Sequence, residues 1–197
     1  MSVDLERLRA SLLSAPADGD FVQEDGGEGL PLTPAAVLFP IVLRDDGHTV
    51  LLTQRTAHLR DHAGQISFPG GRVEAADASP LHTALRETEE EIGLSRKQVE
   101  ILGYLPEYRT GTGFRVTPVV ALVTPPFELA IDPFEVAEAF EVPLSFLLDP
   151  ANHQRHSLHY RGALRQFFAM PYGDYFIWGA TAGMIRSLTE RLGLHGA

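Results

Sequence analysis

Apolar positions along this chain switch between two periods, and the switches mark out its elements. Leu5, Leu8, Leu12 and Leu13 recur at helical spacing, which predicts a short amphipathic helix over residues 3–14. The stretch APADGDFVQEDGGEGLPLTP that follows is rich in Gly, Pro and acid, and reads as a loop or arm with little core of its own. AAVLFPIVL, residues 35–43, is a continuous apolar run and reads as a buried strand in which Pro40 marks an edge or a bulge. RDDGH supplies turn chemistry, and TVLLTQR (49–55) reads as the returning strand of a hairpin. VEILGYLPEY (99–108) and FRVTPVVALV (114–123) are strand-like, and TPPFELAIDP is a turn-rich connection. FEVAEAFEVPLSFLL (134–148) reads as a strand leading into a short helix. LRQFFAMPYGDYFIWG (164–179) reads as a hairpin joined near Pro171 and Gly173, with Phe167, Phe168, Tyr172, Tyr175, Phe176 and Trp178 assigned to the core. GATAGMIRSLTERLG (179–193) closes the chain as a helix with Ile185, Leu188 and Leu192 on one face. Strands outnumber helices, so the pattern predicts an α/β or α+β sandwich around a mixed sheet.

One helix breaks the usual rules. At 100° per residue over residues 78–92, Leu81, Ala84, Leu85, Thr88 and Ile92 share one face, and Glu87, Glu90 and Glu91 share another. Ser79 before Pro80 suits the N-cap with Pro at N1, Asp77 competes for that role, and Gly93 suits the left-handed stop. Glu87, Glu89, Glu90 and Glu91 crowd the C-terminal end, where the helix dipole disfavours negative charge by roughly 0.3–1 kcal/mol per residue. Like charges at i,i+3 and i,i+4 add roughly 0.2–0.5 kcal/mol per pair. Such a run is either a solvated acidic face or a set of ligands for a hard divalent cation, which prefers carboxylate oxygens. Upstream lies SFPGGRVEAADASP, a Gly-rich loop in which Gly70 and Gly71 allow close backbone approach.

Composition narrows the chemistry. The chain has 197 residues, enough for one domain with a sizeable core, and no Cys, which excludes disulfides, thiolate catalysis and Cys-ligated zinc. Its N-terminus lacks the apolar segment of a signal peptide, and no apolar run reaches the length of a membrane span. The net charge of -10 disfavours nonspecific contact with nucleic acid or an anionic membrane. A small-molecule substrate and a cytoplasmic location are the default expectations.

The loop and acidic helix together resemble the Nudix box, through Gly71, Arg86, Glu87, Thr88, Glu90, Glu91, Gly93 and Leu94. Thr88 stands where an aliphatic residue is usual, the loop is one residue longer than the general pattern, and Asp77 or Glu74 stands near the expected first acid. LLTQRTAHLRDHAGQISFPGG (51–71) is similar to the additional motif of Nudix coenzyme A pyrophosphatases, through Leu51, Leu52, Thr53, Arg55, Thr56, Leu59, Arg60, His62, Gly64, Gln65, Phe68, Pro69, Gly70 and Gly71. The resemblance implies an N-terminal helix and arm over residues 1–30 and a Nudix domain over 31–197, a mixed sheet between helices with a loop–helix–loop catalytic motif. It implies hydrolysis of a nucleoside diphosphate linked to another group, here coenzyme A, with Mg²⁺ or Mn²⁺ as cofactor. The metal ligands implied are Glu87, Glu90, Glu91 and the Gly70 carbonyl, with Glu90 or Glu87 as base and Arg86 orienting a Glu. Arg55, Arg60, His62, Gln65 and Arg72 are the candidates for substrate binding, and Glu107, Glu135, Glu138 or Glu141 for a further acid. The alternatives are a broader pyrophosphatase acting on ADP-ribose or dinucleotides, and a non-catalytic nucleotide sensor.

Overall fold

The computed structural model describes residues 4–17, 19–26, 28–29, 31–58, 64–160 and 162–194. Helix α1 (Leu5–Ser11) begins on the side chain of Asp4, which accepts the Glu6 N–H, and it buries Leu8. Strand β1 (Phe21–Gln23) follows within the acidic arm, and the apolar run becomes β2 (Thr33–Val42), hairpinned to β3 (Thr49–Arg55). Short strands β4 (Ile66–Ser67) and β5 (Gly70–Arg72) lead into α2 (Pro80–Ile92). Then come β6 (Val99–Tyr104), β7 (Glu107–Arg109), β8 (Phe114–Val123), β9 (Val136–Pro143) and α3 (Leu144–Leu147). The chain ends in β10 (Gln154–Tyr160), β11 (Ala163–Tyr172), β12 (Tyr175–Trp178) and α4 (Ala180–Arg191).

Strands β1–β9 form one mixed sheet and β10–β12 a separate antiparallel one. At the centre, β2 and β8 run parallel over their full length. Both are apolar on both faces, and alternation explains why. Ala35, Phe39 and Ile41 point into a core with α3 and α4, whereas Ala36 and Leu38 point toward Ala84 of α2. Pro40 is tolerated in so central a strand because the β2 edge is interrupted there. Its partners on that side are β5 up to Val37 and β3 from Ile41.

Two expectations need correction. The acidic arm is not wholly irregular, because Phe21–Gln23 pairs in parallel with Glu107–Arg109. Nor are the C-terminal aromatics all core. Phe168, Tyr172 and Tyr175 pack against the main core, but Phe176 is 44% exposed and Phe167 and Trp178 are only half-buried. The reason is β10, which pattern alone did not reveal. It pairs with β11 and makes a second sheet with an inner and an outer face, and Phe167, Phe176 and Trp178 fall on the outer one.

Candidate active site

The loop before α2 is fastened to the central strand. Phe68 stacks on Phe39 at 4.4 Å between ring centroids, and the Leu38 N–H donates to the Pro69 carbonyl at 2.9 Å. Of the next two residues, Gly70 has to be glycine, and Gly71 leaves room for a carboxylate. Gly70 has φ 154°, and a Cβ there would strike the Ala36 carbonyl and Val37. A Cβ on Gly71 would strike the carboxylate of Glu87. The helix and loop therefore meet backbone to carboxylate.

The front of α2 is closed by Ser79, whose hydroxyl accepts the His82 N–H at 3.2 Å, and its end by Gly93 at φ 67°. Asp77 is freed from capping and does something else. Its side chain is 1% exposed and receives Arg86 through two bonds, Nε to Oδ1 and Nη2 to Oδ2, each 3.0 Å. It also accepts the Glu74 N–H at 2.9 Å and the Thr83 hydroxyl at 2.8 Å. The Arg86 guanidinium first, then the Glu74 N–H, hold the Asp77 carboxyl far below the usual carboxylate range. The same bidentate pair fixes the guanidinium so that its remaining nitrogen, Nη1, meets Glu87 Oε1 at 3.0 Å and Glu90 Oε2 at 2.9 Å.

The acidic residues divide accordingly. Glu89 turns outward to Arg96 at 2.6 Å and leaves the cluster. Glu91 is 3% exposed, accepts the Gly70 N–H at 3.1 Å, and lies 3.7 Å from Arg55 Nη1. Burial pushes its carboxyl up to about 8, against the pull of Gly70 and Arg55, and repulsion from Glu87 and Glu135 adds to the rise. Glu87 is also raised, by burial first, with Arg86 opposing and Glu90 and Glu135 reinforcing. Thr88 faces inward at 1% exposure, and its hydroxyl is satisfied by the Ala84 carbonyl at 2.7 Å.

Repulsion from Glu135 distinguishes it among the later acids. Glu107 is held by Arg109 and Arg115, Glu141 by Arg44 and Thr49, and Glu138 accepts the Tyr175 hydroxyl. Glu135 bears on both Glu87 and Glu91. Its carbonyl accepts the Thr56 N–H at 3.0 Å, so β9 enters its pairing beside Arg55. Ranking these acids requires the β3–β9 pairing, which links residues some eighty positions apart in the chain and has no local signature.

The donor set suits a hard divalent cation. Buried and half-buried carboxylates whose ionisation is opposed by burial and by one another are stabilised by a cation between them. Among the described residues no three acidic or histidine side chains are already gathered in ligating geometry. The cause is visible, since Arg86 draws Glu87 and Glu90, and Gly70 and Arg55 draw Glu91.

Of the substrate-binding candidates, Arg55 joins the cluster, and its buried Nε has no hydrogen-bond partner among the described residues. Gln65 adjoins it, its carbonyl accepting the Arg55 N–H at 2.9 Å. Arg72 does not join. It succeeds Gly71 on β5, so it faces the other way, and its guanidinium lies 5.4 Å from the centre of the Phe114 ring. Arg60 and His62 fall outside the described residues.

Comparison with known proteins agrees with this architecture. The NUDIX domain model matches residues 32–162. A protein of Citrobacter koseri named uncharacterized Nudix hydrolase NudL is 44% identical over 168 residues, covering 85% of this chain and 87% of that protein. Its namesake from Escherichia coli K12 is 43% identical over 160 residues, covering 81% and 83%. Among solved structures, the MutT protein of Methanosarcina mazei Go1 superimposes with a TM-score of 0.52 at 20% identity, over 84% of this chain and 95% of that one. The NUDIX domain of Shewanella oneidensis NrtR, solved with ADP ribose, gives 0.52 at 20% identity over 82% and 88%. At such identity the structural likeness is one of fold.

Proposed function

This chain belongs to the Nudix family and is a Nudix hydrolase; we propose that its substrate is coenzyme A, cleaved at the diphosphate to adenosine 3′,5′-bisphosphate and 4′-phosphopantetheine. The observation that carries this reading is the Arg55–Glu91 contact at 3.7 Å. It joins the stretch similar to coenzyme A pyrophosphatases (51–71) to the acidic helix in one site.

Glu87, Glu90, Glu91 and the Gly70 carbonyl are the groups that would hold Mg²⁺ or Mn²⁺. Such an ion supplies Lewis acidity, offsetting diphosphate charge and easing deprotonation of the attacking water. The rest is done by the chain. Arg86, itself fixed by Asp77, keeps Glu87 and Glu90 turned to the same side. Glu90 is the most exposed of the three, with a side chain 59% exposed, and either it or Glu87 takes the proton of the water. Glu135 completes the acidic set from the turn that leads into β9. The Arg55 Nε–H, without a partner among the described residues, would take a phosphate oxygen. Arg60 is assigned to a phosphate and His62 to the lining of the substrate site. Arg72, turned to the far face of β5 over Phe114, is not assigned to the substrate.

The test is a panel. With Mg²⁺ or Mn²⁺ and equal concentrations of coenzyme A, dephospho-coenzyme A and ADP-ribose, products are identified by mass in isotopically labelled water. Coenzyme A should be cleaved fastest and dephospho-coenzyme A more slowly. ADP-ribose cleaved far faster than coenzyme A would replace this reading with a broader pyrophosphatase. Bound metal with no cleavage of any of the three would point to a sensor.

A further inference from the structure

A cavity of about 300 Å³ opens beside Gln65, one backbone hydrogen bond from Arg55. Its apolar wall is the outer face of the β10–β12 sheet, where Leu158, Phe167 and Trp178 share one side by register. Phe167 and Trp178 meet edge to face, with centroids 5.4 Å apart, and Leu158 is 51% exposed. Thr110, Gly111, Thr112 and the Gln65 side line the polar rim.

Charge decides what such a space accepts. Glu24 and Asp25 stand in its wall, Glu24 receiving the Tyr108 hydroxyl and the Gly111 N–H, Asp25 the Gln166 N–H. Arg165 stands there too, donating to the Asp25 carbonyl, so two carboxylates face one guanidinium and the wall has no excess positive charge for a phosphate. A neutral flat ring with N–H groups on its edge needs no such charge. Its faces lie against the aromatic corner and its edge against hydroxyl, amide and carboxylate oxygens. A flexible amide chain gains less from two rings set at an angle and loses more rotamer freedom. Much of this cavity lies outside residues 32–162, because Glu24, Asp25, Phe167 and Trp178 flank the segment shared with the family.

We propose that this cavity is the nucleobase subsite of the enzyme, holding an amino-bearing base such as adenine against Phe167, Trp178 and Leu158. The proposal rests on the reading of the acidic site as a nucleoside-diphosphate hydrolase, and names where one arm of that substrate lies.

Trp178 is the only tryptophan of the chain, so its fluorescence reports on the cavity directly. The full chain, without metal, is titrated with AMP, ribose 5-phosphate and pantetheine. AMP should quench Trp178 saturably, and the other two should leave it nearly unchanged. Ribose 5-phosphate carries the same phosphate, so the difference isolates the base. Quenching by pantetheine instead, or no response to AMP, overturns the proposal. Leu158→Arg, at an exposed position, should weaken AMP binding and raise KM for the nucleotide substrate by roughly tenfold while kcat stays within about twofold. An unchanged KM counts against it. The two readings fail separately. AMP quenching without turnover of any diphosphate removes the hydrolase and leaves the base site, and turnover without quenching does the reverse.

Discussion

At the residue scale the decisive group is Asp77, an acid held by Arg86 while Ser79 caps the helix. It anchors Arg86, and Arg86 in turn fixes Glu87 and Glu90, so its removal should act on the site through two side chains. Its pH signature follows from its depressed folded pKa. A carboxylate stabilised in the folded state contributes fully above its unfolded value, about 4, and that contribution is lost as pH falls through and below it. Melting temperature should therefore fall between about pH 5 and pH 2 more steeply in the wild type than in Asp77→Asn, which should already be less stable at pH 7. Parallel curves would show that the pair adds nothing. The variant should also lose activity by at least about tenfold, through misplacement of the Glu side chains rather than loss of fold. A second residue-scale expectation concerns Glu135. Glu135→Gln should depress activity with little change in melting temperature, whereas Glu138→Gln, which removes only a partner of Tyr175, should leave activity near wild type. Equal effects would remove Glu135 from the acidic set.

At the element scale, α2 is bounded by two glycines that serve different ends. Gly71 exists for Glu87, since any Cβ would collide with that carboxylate. Gly93 exists for the chain path, being left-handed and tight against Ala130. Gly71→Ala should cost little stability, because the Glu87 carboxylate can swing aside, and should abolish turnover for the same reason. Gly93→Ala should cost at least roughly 1–2 kcal/mol for the left-handed residue, and should retain most activity at a permissive temperature. Denaturant melts paired with turnover assays check the contrast. If both variants lose activity in proportion to stability, Gly71 has no special relation to the site. The caps and the apolar face of α2 were legible in the sequence because they are local, set by residues within a turn or two of each other. The Glu87–Gly71 contact was not, since the two residues lie on different elements and the sequence shows only that each is present.

At the scale of the whole molecule, the N-terminal arm belongs to the body. Leu8 is 0% exposed in the main core, β1 pairs with β7, and Asp25 binds the backbone of β11. Burying one such leucine contributes about 2 kcal/mol. A chain beginning near residue 31 should therefore melt several degrees lower than the full chain, rather than behave as an intact independent domain, and calorimetry on both measures the difference. An unchanged melting temperature would show the arm to be an appendage. The same truncation removes two wall residues of the cavity beside Gln65, so AMP quenching of Trp178 should weaken with it.

What the sequence determined by itself is whatever depends on residues close together along it. That includes the period of each strand and helix, the caps of α2, the glycine pair, and the acidic face whose repulsion asks for a cation. The tertiary structure alone decided which of the acids share a site. Glu89 left for Arg96 and Glu135 arrived through β9, while Asp77 was claimed by Arg86. It also turned Arg72 away from the cluster and Arg55 toward it, since a strand sends successive side chains to opposite faces and only the assembled sheet says what each face meets. The aromatic corner of Phe167 and Trp178 is the same case. Hydrophobicity predicts burial but not against what, and here the second sheet left its outer face half open beside Gln65.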